Sequence, residues 1–178
     1  MTDSKETKDG SCPSCDYSLA FLLLRLWLGV RALLAGVEKF GAYATIQKPL
    51  IDPTTGQPDP SGVLQNVDVK FYSLTNYSGI PAPLKDRFAN EPLLPHPALG
   101  AFNHLLGPLF ILTGVMLLLG LGTRLSLFVQ GLLYLALSVG LLLINQPDGV
   151  AYLGIHVGLV AFALMLAKHN KLALLKKW

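Results

Sequence analysis

The sequence predicts an all-α membrane protein: a bundle of four transmembrane helices with a long extracytoplasmic loop between the first and the second. Of its 178 residues, 52% are hydrophobic and only 14% are charged, against about 25% charged in an ordinary soluble domain. Mean hydropathy is +0.48. The apolar residues gather into long runs and are not spaced at the period of an amphipathic helix. Each run is about 20 residues, the length that crosses roughly 30 Å of hydrocarbon.

The runs cover residues 19–40, 101–121, 125–144 and 150–168. The last three are separated by GLGTR (120–124) and NQPDG (145–149), both of which carry turn chemistry. Backbone groups in lipid must be satisfied within the chain, so four such runs imply a helical bundle spanning residues 19–168. Residues 1–18, MTDSKETKDGSCPSCDYS, read as a polar tail with no cleavable signal peptide. Residues 169–178 form a basic tail suited to anionic lipid headgroups. A net charge of +3, scattered along the chain, gives no footprint for nucleic acid.

Direction follows from the short flanks. An even number of spans puts both termini on one side, together with Lys5, Lys8, Arg124, Lys168, Lys171, Lys176 and Lys177. The short loop opposite has no Lys or Arg, so both termini are expected in the cytoplasm. Residues 41–100 then lie outside. They are rich in Pro, Gly, Asn and Asp; VDVKFY alternates like a short strand, and PLKDRFANEPLL suits an amphipathic turn at the membrane surface. A connection this long is expected to pack over the mouth of the bundle.

The first span, RLWLGVRALLAGVEKFG at 25–41, carries Arg25, Arg31, Glu38 and Lys39. Charges in hydrocarbon are costly and persist where partners or a function hold them. At about 100° per residue, Arg31 and Glu38 fall within roughly 20° of each other, while Arg25 and Lys39 form a second stripe. By depth, Glu38 and Lys39 share the outer rim with His104, Tyr152 and His156. The functional reading is an outward-facing polar pocket: Arg31, Lys39, His104 and Tyr152 binding substrate, Glu38 and His156 moving protons. The structural reading pairs Arg31 with Glu38 as bundle glue and lets Arg25 and Lys39 snorkel. Two histidines at one depth can also ligate a b-type haem, but a helix mouth suits a hydrogen-bonding histidine better.

Cys12 and Cys15, in CPSC, are the only cysteines. Their spacing suits redox cycling or half of a tetrahedral metal site, which a second chain would have to complete. The polar tail around them is equally consistent with an incidental pair.

RLWLGVRALLAGVEKFG, GPLFILTGVMLLLGLGTRLS and a fourth span carrying His156 together resemble the DoxX-like membrane family. The matching residues are Arg25, Gly36, Lys39, Gly122, Thr123 and Arg124. The resemblance implies a small four-helix protein of the bacterial inner membrane. Through the DoxD relatives it implies a subunit of a thiosulfate:quinone oxidoreductase, with quinone as cofactor and a second subunit or a further copy as partner. Fold does not fix chemistry. The alternative is a non-catalytic anchor that docks soluble redox partners.

Overall fold

The computed structural model of the chain describes residues 13–51, 55–57 and 61–170. Helices α1 (Pro13–Glu38), α3 (His96–Leu119), α4 (Thr123–Leu143) and α5 (Pro147–Leu166) are each long and apolar enough to cross a membrane. A 3-10 turn, Ala167–His169, extends the last. The short breaks behave as their composition requires. Gly120 and Gly122 take left-handed backbone, φ 73° and 50°, to reverse the chain between α3 and α4. Asn145 does the same at φ 55° before Pro147 opens α5.

The helices close into a ring in which α1 packs on α3, α3 on α4, α4 on α5 and α5 on α1. The core holds Phe21, Leu28, Leu106, Phe110, Leu117, Leu127 and Val160. The opposite faces stay apolar: Leu23 and Met165 are 71% and 72% exposed, Leu125 and Ile155 63% each. An outer surface this apolar needs lipid around it, and the chain is a multi-pass membrane protein on that ground.

The tightest seam joins α1 to α3 through glycines spaced seven apart on each helix, Gly29 and Gly36 against Gly114 and Gly107. A Cβ at Gly36 would lie 2.8 Å from the Ile111 nitrogen and 2.9 Å from the Gly107 carbonyl oxygen. One at Gly114 would lie 2.7 Å from the Leu33 nitrogen. Small residues here let the two backbones touch, which is how helices associate where burial alone provides no drive.

The connection between α1 and α3 departs from the expectation of a long loop. It contains an antiparallel hairpin, β1 (Gly41–Pro49) with β2 (Leu64–Tyr72), registered from Gly41↔Tyr72 to Pro49↔Leu64. A 3-10 turn (Leu74–Asn76) and a short helix, α2 (Ala82–Ala89), follow. VDVKFY lies inside β2 and PLKDRFA inside α2, in keeping with their patterns. The insert is pinned to α3 at its far end. Tyr77 Oη donates to the carbonyls of Asn103 at 2.5 Å and His104 at 3.1 Å, and accepts from Gly107 N–H at 3.1 Å. Asn103 Oδ1 accepts from Ile80 N–H at 2.8 Å.

Candidate functional site

At the insert end of the bundle, the four long helices enclose a chamber of about 110 Å³ whose polar walls are Arg31, Lys39, Tyr134, Tyr152 and His156. Phe110 closes one side. Its geometry follows from helix spacing: Tyr152 and His156 are one turn apart on α5, and Arg31 and Lys39 are about two turns apart along α1 and its end.

The chamber is cationic. The Arg31 guanidinium stands 5.4 Å from the Tyr152 ring centroid, within cation–π range. The half-buried Lys39 ammonium makes no ion pair or hydrogen bond with a described residue. Among the described residues, no acidic side chain lines the chamber. Two positive groups held without a counter-charge favour an anionic or electron-rich guest.

His156 supplies the directional group. It is 4% exposed, between the rings of Tyr134 and Tyr152 at 5.2 and 4.7 Å. Its Nδ1 lies 2.9 Å from the Tyr152 carbonyl oxygen. A carbonyl only accepts, so Nδ1 carries a hydrogen and Nε2 is the ring atom left to meet a guest. That buried Nε2 has no partner among the described residues. Tyr134 complements it: its hydroxyl accepts from Gln130 Nε2 at 3.0 Å, and its own hydrogen has no acceptor among the described residues. Gln130, fully buried, is held in place by the Leu28 carbonyl of α1 at 3.1 Å. An imidazole nitrogen, a hydroxyl donor and two cations therefore share one small space.

The structure gathers Arg31, Lys39, Tyr152 and His156 from the residues the sequence singles out, and leaves others elsewhere. Glu38 is exposed and bonds Lys70 and Tyr72 of the hairpin, not Arg31. The wheel angle holds, but seven residues separate the two by roughly 10 Å along the axis. His104 is exposed on α3, where its carbonyl serves Tyr77, and it does not line the chamber. Arg25 does not snorkel. It is 5% exposed, and its Nη1 donates to Asn170 Oδ1 at 3.1 Å, while Asn170 Nδ2 donates to Thr123 Oγ1 at 3.1 Å. Cys12 lies outside the described residues, and Cys15 is described only as backbone in the first turn of α1. Sequence reasoning misses Tyr134 and Gln130, although a Gln and a Tyr four apart inside an apolar span put two polar groups on one buried stripe.

Comparison with protein-family models, characterised proteins and solved structures finds no match to this chain.

Proposed function

We propose that the protein is a quinone-interacting subunit of a membrane oxidoreductase, with the chamber as the site for the quinone head. The buried His156 Nε2, without a hydrogen-bond partner among the described residues and set in one chamber with Arg31 and Lys39, is the observation that carries this reading. A quinol head offers hydroxyl hydrogens and an electron-rich ring. His156 Nε2 accepts one hydrogen, Tyr134 and Lys39 donate to the oxygens, and Arg31 stabilises negative charge developing on them. The quinone supplies two-electron chemistry. With the sulfur oxyanion that the DoxX-like resemblance implies, two thiosulfates joining as tetrathionate release the two electrons that, with two protons, convert quinone to quinol.

In this reading the termini are cytoplasmic and the chamber faces outward in a bacterial inner membrane. Single cysteines at Asp16 and Ser61, in a background lacking Cys12 and Cys15, test the direction. An impermeant thiol reagent added to intact cells should label only position 61. Label at position 16 alone would invert the orientation.

The chamber itself is tested by titrating the purified protein with 2,3-dimethoxy-5-methyl-hydroquinone, followed by calorimetry. Wild type should bind, and His156→Phe should keep its fold and lose binding by about tenfold or more. Absence of binding to wild type, or equal binding by the variant, overturns the reading.

A second reading has its own support. The β1–β2 hairpin exposes Tyr43, Ile46, Phe71 and Tyr72, and an isolated two-stranded sheet is marginal in water. A partner subunit seated on the hairpin would make the protein an anchor. Complex formation that survives His156→Phe and is lost with substitutions at Tyr43 and Phe71 would favour that role.

A further inference from the structure

A second cavity, of about 370 Å³, lies between the insert and the bundle. Phe102 and Leu106 of α3 and Leu137 and Gly140 of α4 form its walls, and Ile80 and Phe88 of the insert cover it. Ile80 and Phe88 are themselves buried, and a Cβ at Gly140 would meet the Phe88 ring at 3.3 Å, so the cover is seated closely on α4. Apart from Lys39 at one margin, the named lining is apolar. Its volume falls in the range of small-molecule sites, about 300–1,000 Å³.

This cavity and the polar chamber share three wall residues: Lys39, Leu106 and Leu137. A cationic, aromatic-walled compartment thus abuts a larger apolar one, with an ammonium at the junction. An apolar pocket of this kind, open at Ala136 and Val139 toward the outer face of α4, holds no polar partners for water, so a hydrocarbon guest is its natural content.

We propose that the apolar cavity is the tail site of the same ligand, and that the ligand is a single-tailed amphiphile of the membrane quinol type, with α2 as the cover over its tail. The inference rests on the chamber reading above and extends it from a head group to a whole ligand. A small chamber with ring walls suits a flat head better than a glycerophosphate bearing two chains. Lys39 sits where head becomes tail, within reach of the ring oxygens while its stem lines the hydrocarbon. The insert thereby serves the ligand, because its hairpin is tied to Glu38, its Tyr77 to α3, and its α2 lies over the tail.

Two variants narrow the tail cavity without touching the polar chamber: Ala136→Phe from α4 and Leu84→Trp from α2, both cavity-lining positions. Each is titrated in nanodiscs with the tail-less 2,3-dimethoxy-5-methyl-hydroquinone and with its decyl homologue. The wild-type-to-variant affinity ratio, taken probe by probe, cancels partition into lipid. The expected ratio is about tenfold or more for the decyl probe and about one for the tail-less probe. A decyl hydroquinone carrying a diazirine at the tail end should crosslink wild type within α2 or α4. Crosslinks elsewhere, or a ratio near one for both probes in folded variants, overturn the tail site while leaving the chamber standing. Failure of the tail-less probe to bind wild type overturns both. A co-purified phospholipid, detected by native mass spectrometry and lost in Ala136→Phe, would assign the cavity to bulk lipid and overturn the proposal.

Discussion

The Tyr77 hydroxyl lies 3.1 Å from the carbonyl of His104, the carbonyl that Pro108 leaves without its helical donor in α3. Proline has no N–H, so the i−4 oxygen would otherwise lack a donor within the helix. A side chain from the insert fills the gap, and Gly107 beside it leaves room for the ring: a Cβ there would lie 2.6 Å from Tyr77 Cε2. Tyr77→Phe keeps the ring and removes the hydroxyl. It should cost about 0.5–1.5 kcal/mol, the net worth of a hydrogen bond, since His104 itself is exposed. Hydrogen exchange should speed up in residues 73–90 and leave the four long helices unchanged. Unaltered exchange in the insert would show that the hydroxyl is not its anchor.

The glycine seam makes a sharp contrast between positions of the same residue type. Gly36→Val places atoms against the backbone of Ile111 and Gly107, which cannot swing aside as a side chain can. It should cost about 3 kcal/mol or more. Gly154, with nothing within 4 Å of its Cβ position, is the control. Gly154→Ala should be neutral or stabilise by up to about 1 kcal/mol. Thermal unfolding in detergent compares the two, and similar losses would remove the seam's special status.

Arg31 and Glu38 provide a test by additivity. Glu38 is bonded to Lys70 and Tyr72, while Arg31 faces Tyr152 in the chamber. The stability changes of Arg31→Met and Glu38→Gln should therefore add to that of the double variant within about 0.5 kcal/mol. A double variant clearly more stable than that sum would restore the ion pair that the wheel angle suggests.

The hairpin clasp should open with alkali. Lys70 has its ammonium raised above the ordinary lysine range, first by its hydrogen bond to Glu38 and then by Tyr72. A raised folded value means that the clasp is at full strength below the unfolded lysine value, about 10.4, and is lost as pH climbs through the folded one. Limited proteolysis of residues 41–72 should be flat from neutral pH to about 10 and should rise beyond it. Lys70→Met should be more susceptible throughout and show no such rise. A rise of equal size in the variant would place the titrating group elsewhere.

The spans are legible because hydrocarbon leaves a long, unbroken signal. Even the GLGTR and NQPDG reversals can be placed, since left-handed backbone selects Gly and Asn. The hairpin is only half legible. VDVKFY alternates, but β1 runs on directly from the first span, and neither strand has a buried face to impose a pattern on GAYATIQKP. Of the site, residues within one turn of each other can be found and cross-bundle partners cannot. Angle along α1 puts Arg31 and Glu38 on one stripe, but no wheel reports that β2 brings Lys70 to the helix end. Arg25 reads locally as a snorkelling side chain because nothing near it in the chain announces Asn170. Gln130 and Tyr134 escape notice because two neutral polar groups in an apolar run signal less than four charges.

The Arg25–Asn170 contact also sets an order of events during synthesis. Its partners are 145 residues apart in the chain, and Thr123, the third member, arrives between them. At about 5–20 residues per second, roughly 7–30 s separate translation of the arginine from translation of the asparagine. The first span must therefore wait in the translocon or bilayer while three more are made. The bond that ties Asn170 to α1 closes only after all four spans have been made. Completion of the bundle is thus coupled to synthesis of Asn170, and a chain released short of that residue leaves this joint unmade.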